Sequence, residues 1–346
     1  LKVIWSKLDA IGKWAARIIA VLAVLAVTAY FYVPDNSTHA NTMHVQIAAA
    51  RPGTTVQIIT LSNPQKDGFL RRIFIGQGQA PDELVVAEAI IENNTIKYRT
   101  TAESDWEVFE PPVGEAAEKY LANRTFVFGT DNYGRDFFSR LMLGSRVSLA
   151  VGFIAVLISL LVGIPLGALA GYYKGWVDKV IMWLINVIWS IPTLLLVIAL
   201  TFVLGKGFWQ VFVAVGLTMW VEVARVVRGQ VLSLREKEFV EAARVLGFND
   251  MRILFKHLLP NALSPVIVIS AANFASAILI ESGLSFLGIG AQPPVPSWGG
   301  MIRDHYAYVL MGKPFLALLP GLFIMGAVLS FMTLGNALRD ALDVKA

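Results

Sequence analysis

The stretch Glu241-Ala-Ala-Arg-Val-Leu-Gly247, followed after nine intervening residues by His257-Leu-Leu-Pro260-Asn261, is polar enough for water yet lies between two long apolar runs. Its pattern predicts two short helices hinged on a glycine. The first covers about residues 235–246, and Gly247 supplies the left-handed residue that closes it. Asn249 or Asp250 then caps a second helix over 251–259, which Pro260 stops because it has no N–H to give. Phe239, Ala242, Ala243 and Leu246 fall on one face at helical spacing. An element of this kind either docks in a partner's groove or lies flat on lipid headgroups, and its flanking cations suit both.

The neighbouring runs belong to a larger pattern. The chain has 346 residues, 56% hydrophobic and 16% charged, with mean hydropathy +0.61. A soluble chain carries about 25% charged residues, so the shortfall points to lipid as the solvent. Six segments are apolar over the roughly 20 residues needed to cross hydrocarbon: 14–33, 147–173, 180–204, 208–227, 263–289 and 315–338. In lipid a backbone has to satisfy its own polar groups, which such runs do as helices. Lys2, Lys7, Lys13 and Arg17 start the chain, and Lys174 and Lys179 flank the turn after the second span. Arg225, Arg228, Arg235, Lys237, Arg244, Arg252 and Lys256 cluster after the fourth. Cytoplasmic loops collect such cations, so these loops and both termini fall inside. The opposite short loop, Gly205-Lys206-Gly207, carries one charge. A cleaved signal peptide is the rival for the first span, but the stretch is longer than a signal core and no small-x-small site follows.

The expected fold is an all-α polytopic membrane protein with six transmembrane helices, N-in and C-in. A small β-rich domain on the outer side is inserted between helices 1 and 2. Residues 1–33 hold the N-terminus and first span, 34–127 the insert, 128–146 an amphipathic interfacial segment, and 147–346 the five-helix core with the inner loop at 228–261. In the insert, residues 55–61 alternate like a half-buried strand. Residues 83–92 and 95–100 flank Asn93-Asn94, a hairpin turn because Asn tolerates positive φ. Pro52-Gly53, Pro64 and Pro111-Pro112 punctuate the rest. The insert is either a docking surface or a structural cap.

In 131–146, Phe137, Phe138, Leu141 and Met142 share a face, with Arg135, Ser139, Arg140 and Arg146 on others, which predicts an amphipathic helix. Asp131 stands four residues before Arg135, a spacing that pairs on a helix. The segment is either a gate or receptor contact, or an interfacial anchor. Gly163, Gly167 and Gly171 recur every fourth residue and let another helix approach closely, within the chain or from a partner. Pro165, Pro192 and Pro320 loosen their helices. The ionisable groups within spans are Glu222, Arg225 and Glu281, all toward span ends, and the first two are spaced to pair.

Several classes are excluded. There is no cysteine, hence no thiolate metal site, cysteine nucleophile or disulfide. The four histidines, 39, 44, 257 and 305, lack zinc spacing. No Gly-x4-Gly-Lys-Ser/Thr loop occurs, so ATP is not bound by that route. The net charge of +4 reflects inner loops; no basic stripe with interleaved aromatics marks a nucleic-acid partner. An intramembrane hydrolase would need an in-span His beside its Ser residues. A secondary carrier would show repeats and central charges.

The Glu241–Pro260 pattern resembles the coupling loop of bacterial ABC importer permeases. Three more stretches resemble the dipeptide/oligopeptide (DppC/OppC-like) branch: Phe128-Gly-Thr-Asp-Asn-Tyr-Gly-Arg-Asp-Phe-Phe-Ser-Arg140 with Gly144 and Arg146; Glu281-Ser-Gly-Leu-Ser-Phe-Leu-Gly-Ile-Gly290 with Pro293-Pro294 and Ser297-Trp298-Gly299; and Leu334-Gly-Asn-Ala-Leu-Arg-Asp340 with Asp343. The resemblance covers about residues 126–343. It implies a multi-pass subunit of the bacterial cytoplasmic membrane that pairs with a homologous DppB/OppB-like permease. Two ABC ATPase subunits would bind the ATP and magnesium, this chain holding no cofactor, and a periplasmic or lipid-anchored solute-binding protein would deliver di- or oligopeptides. Glu241, Ala242, Ala243, Gly247, Leu259 and Pro260 would then meet the ATPase, and Asp131, Gly134, Arg135, Asp136 and Arg140 a periplasmic gate or receptor. Two departures stand out: the insert is longer than this branch usually carries, and His257 stands where the general loop pattern has an aliphatic residue, although this branch often has His there. Nickel or another small solute as cargo, or a scaffold recruiting an ATPase, are the alternatives.

Overall fold

The computed structural model describes residues 2–62, 67–78, 80–205 and 208–342. Pro64, Lys206, Gly207 and Asp343 therefore lie outside the described residues.

The long helices are α1 (Ala10–Val27), α2 (Phe137–Tyr173), α3 (Gly175–Trp189), α4 (Thr193–Leu204), α5 (Phe208–Leu234), α6 (Glu238–Val245), α7 (Leu259–Phe286), α8 (Trp298–His305) and α9 (Phe315–Leu342). Six strands precede α2: β1 (Thr54–Ser62), β2 (Asp82–Val86), β3 (Glu88–Glu92), β4 (Thr95–Arg99), β5 (Glu107–Phe109) and β6 (Leu121–Phe126). Among the described residues, five helices are long and apolar enough to cross a membrane. The pair α3–α4 makes a sixth if counted as one span, but it is bent by 94° at its break. The span expected over 180–204, with Pro192 loosening it, is thus two helices separated by a sharp bend. Pro192 has no N–H and disfavours helix at Ile191, and Ser190 Oγ donates to the Val187 carbonyl at 2.7 Å to finish α3.

Two compact units form, one from residues 1–23, 147–292 and 321–346, the other from 24–146 and 293–320. The insert expected at 34–127 falls inside the second of these units. The second unit also takes in 128–146 and α8.

In the first unit the glycine ladder of α2 seats α5. A Cβ at Gly163 or Gly171 would stand 2.7 and 2.8 Å from the carbonyl oxygens of Trp220 and Arg228, and one at Gly167 would overlap the Ala224 carbonyl. Of the two options the sequence left open, the close approach lies within this chain. Backbone oxygens cannot swing away, so Gly167→Val is expected to cost about 3 kcal/mol. Gly229→Ala, in α5 with nothing within 4 Å of the added carbon, is the neutral control. Thermal unfolding of the two purified variants in detergent checks this: only the first should melt early.

In the second unit β1 is the centre of one antiparallel sheet, β2-β1-β6, while β3-β4-β5 form another. Asn93 and Asn94, at φ 50° and 62°, turn the β3–β4 hairpin as expected. The expected 83–92 strand divides at Ala87, β2 joining one sheet and β3 the other. Ile58 and Ile59 of β1 are both buried, one packing with Val85 and Phe126, the other with Val86 and Ile96. Simple alternation fails there because both faces of the strand are covered.

Glu83 on β2 is buried against Arg124 on β6, which donates to both carboxylate oxygens at 2.7 Å, and His44 Nε2 lies 3.4 Å away. Burial alone would raise this carboxyl, but the hydrogen bonds from His44 and Arg124 hold it below the usual range. A depressed folded value stabilises above the unfolded value and is lost as pH falls through the folded one. The stability advantage of wild type over Glu83→Gln is therefore expected at neutral pH and should shrink through the acid range. Paired unfolding curves at several pH values check it.

Candidate functional site

Lys237 precedes α6 in extended conformation, and Gly247 ends the helix at φ +75°. Gly247 N–H donates to the Arg244 carbonyl at 2.9 Å and Phe248 N–H to that of Ala243 at 3.1 Å. That pair of bonds is a Schellman closure, which needs its left-handed residue and so favours glycine. Asn249 Oδ1 then accepts Arg252 N–H at 2.8 Å and caps the next segment.

That segment does not stop at Pro260. A turn at Asp250–Arg252 passes into a wider π-helical stretch, Ile253–Leu258, and runs straight on into α7. Leu259 N–H donates five residues back, to the Leu254 carbonyl. The wider turn carries the chain past a proline that would break a regular helix. The second short helix is thus the first turn of a span, so a displacement of the loop reaches α7 through continuous backbone.

The loop is held by one face only. Val240 and Ala243 are buried with Val227, Val231, Ile253, Leu254 and Leu258. Of the four residues expected on one stripe, Ala243 turns inward, while Phe239 and Ala242 are exposed and Leu246 is 71% exposed. Glu241, Gly247 and Pro260 are also exposed, and Leu259 is buried. The outward face thus offers Phe239, Ala242, Val245 and Leu246 around the carboxylate of Glu241.

Polar ties clamp the loop's root. Tyr172 OH donates to Asp250 at 2.6 Å, and Arg228 forks onto Asp178 at 2.5 and 2.7 Å. Arg235 donates to the Tyr172 carbonyl. His257 is half-buried and stacked on Phe248, with centroids 5.7 Å apart and rings 7° from parallel. Sequence reasoning missed Tyr172, Asp178 and Val240. The long i–j separations of the polar pairs leave no local signal, and Val240 was legible as the residue three before Ala243.

The second candidate cluster lies in the other unit. Residues 131–136 form a turn, not the start of a helix, closed by a bridge between Thr130 and Asp136. Helix α2 begins at Phe137, and Asp136 caps it by accepting Ser139 N–H at 2.8 Å. Burial raises the Asp136 carboxyl above its ordinary value, with Ser139 opposing. Asp131 is fully buried and accepts from Arg135 Nε at 2.6 Å, Arg135 N–H at 3.0 Å and Tyr133 N–H at 2.9 Å, with Arg140 Nε 3.5 Å away. Gly134, at φ +73°, leaves no room for a Cβ against the His44 carbonyl.

The amphipathic interfacial helix expected here is therefore corrected. Arg135 and Arg140 are buried beside Asp131 instead of facing water or headgroups. Arg135 also donates to Asn41 Oδ1 at 2.9 Å, and Arg140 to the His39 carbonyl at 3.3 Å. Those partners lie about a hundred residues upstream, beyond any helical-wheel argument. The Asp131–Arg135 pair is real but spans a loop.

The in-span charges are also rearranged. Arg225 places its guanidinium 3.5 Å over the Trp189 ring, and among the described residues it makes no ion pair with Glu222. Glu281 is buried, accepting from Ser285 Oγ at 2.6 Å and Ser148 Oγ at 3.4 Å.

An apolar helical core with five or six membrane-length helices among the described residues and an exposed, glycine-closed loop describes an integral membrane protein. Residues 163–345 match the family of binding-protein-dependent transport system inner membrane components, and the chain belongs to that family. It is a permease subunit of the inner membrane and not an enzyme. It is 43% identical over 217 residues to the glutathione transport system permease protein GsiD of Pectobacterium atrosepticum, covering 63% of this chain and 72% of that protein. It is 44% identical over 218 residues to the dipeptide transport system permease protein DppC of Alkalihalophilus pseudofirmus, covering 63% and 71%. An inward-facing structure of the MetNI methionine ABC transporter aligns over 58% of this chain and 96% of that chain, with 21% identity and TM-score 0.47.

Proposed function

We propose that this permease passes di- or oligopeptides inward and is driven through the 228–261 loop by separate ATPase subunits. The observation that carries this is the outward apolar face of α6 around Glu241, closed by Gly247 and continuous through the π turn with α7. An exposed stripe of this kind on a rigidly rooted helix suits a groove on a partner. The peptide relatives above support the cargo class. In this reading Glu241, Ala242, Ala243, Gly247, Leu259 and Pro260 form the coupling element, with Ala243 and Leu259 seating it and the others facing the motor. ATP and magnesium belong to the motor subunits. A second, homologous permease completes the pore, and a solute-binding protein delivers cargo from the outer side of the membrane. The Asp131, Gly134, Arg135, Asp136 and Arg140 cluster belongs to a gate or receptor contact in this reading, its buried ion pairs holding the 131–136 turn in shape. Both chain ends lie inside under the same orientation.

The cysteine-free sequence makes the orientation directly testable. Val113→Cys, at a fully exposed site, is expected to react with a membrane-impermeant maleimide on spheroplasts. Leu246→Cys should react only after lysis. The reverse labelling would overturn the orientation and, with it, the coupling role of the loop.

A further inference from the structure

The longer helix changes the standing of Glu222. The sequence puts it near the end of a span, but α5 runs over Phe208–Leu234, with fourteen residues before Glu222 and twelve after it. A carboxylate there is costly against lipid and demands water or a cation. Among the described residues no cation lies within ion-pair distance of it, because Arg225, one turn on, stacks on Trp189 instead. Glu222 is exposed, and it lines a cavity of about 330 Å³.

The other walls are specific. Thr193 begins α4 at the break in the α3–α4 pair, and Trp189 ends α3. Thr218 and Ser276 bring hydroxyls, while Leu196 and Met219 bring apolar surface. Thr218 Oγ donates to the Val215 carbonyl at 2.8 Å, which leaves its lone pairs for an incoming donor. One carboxylate, three hydroxyls and an apolar side in a concave space recognise an ammonium carried on a short, partly apolar body. A flat helix contact from a partner would not need the hollow.

We infer that Glu222 and this hollow form a transit subsite that pairs with the α-ammonium of a peptide as it crosses the permease. This rests on the peptide reading above. The contact has to be weak, since conduction requires that cargo also leave.

The test uses membranes with the assembled importer. Uptake of labelled di- and tripeptides is compared with uptake of their N-acetylated counterparts, in wild type, Glu222→Gln and Glu222→Asp. A charge-assisted hydrogen bond is worth enough that the free-amine to acetyl uptake ratio is expected to fall about tenfold in Glu222→Gln. Glu222→Asp should restore most of it. In a second arm, Glu222→Cys, the only thiol in this chain, is treated with a water-borne thiol reagent, and the free-amine peptides should slow its modification. An unchanged ratio, or a thiol that is unreactive or unprotected, overturns the subsite while leaving peptide transport intact. If the receptor excludes the acetylated peptides, the thiol arm alone decides. If wild type imports no peptide, the peptide reading falls and the subsite with it.

Discussion

Asp131→Asn is expected to destabilise the β-rich unit by roughly 3–5 kcal/mol, because removing one partner of a buried pair strands the charge that remains. Two guanidiniums depend on that carboxylate, those of Arg135 and Arg140, and both are nearly inaccessible to water. An amide still accepts one hydrogen bond from Arg135 but carries no charge to balance either arginine. The same carboxylate also receives the N–H groups of Tyr133 and Arg135, so the 131–136 turn loses its organiser as well. The measurement is limited proteolysis and thermal unfolding of the purified subunit. Early cleavage between residues 34 and 146 is the expected result. The helical signal of the first unit should survive to higher temperature, since its core lies in the packing of α2, α5 and α7.

Gly247→Val is expected to abolish import, by about tenfold or more, while the protein still reaches the membrane. The cause is backbone strain and not a clash. A Cβ at this site would meet nothing within 4 Å, but φ is +75°. A left-handed conformation costs a residue with a side chain about 1–2 kcal/mol, and a β-branched one more. The Schellman bonds would reopen to relieve it, and Phe239, Ala242 and Leu246 would no longer hold a fixed face toward the motor. Gly247→Asn is the companion variant. Asn tolerates positive φ, so it should keep much of the transport. Import assays on membranes with matched permease content separate the two outcomes. Near-normal import by the valine variant would mean that the loop's geometry does not transmit work.

The contrast between these two sites shows what a sequence makes legible. The α6–Gly247 element is local: its helix and cap follow from residues within one or two turns and the structure keeps both, while of the expected stripe Ala243 turns inward. The second helix runs past its expected end because Pro260, a strong stop signal in sequence, is bypassed by a π turn that leaves no trace in composition. The broken α3–α4 pair was half-visible, since Pro192 marks the position but not the 94° bend. Asp131 and Arg140 show the opposite case. Their amphipathic pattern is genuine, yet the polar face is met by residues 39–41 and is buried. Long-range polar burial inverts a helical-wheel reading, because the wheel assumes that charge faces water. Glu222 moved from a span end to mid-helix for a simpler reason. Hydropathy falls after Val227 while helical hydrogen bonding continues to Leu234.

The central claim is that the inner loop is gripped by a nucleotide-driven partner. With no cysteine elsewhere in this chain, Ala242→Cys with a short photoactivatable crosslinker can be placed on the outward face of α6 in native membranes. The account predicts one dominant adduct, with an ATPase subunit, whose yield changes between nucleotide-free and ATP-loaded, hydrolysis-blocked states. Adducts with lipid alone, or a yield indifferent to nucleotide, would contradict it.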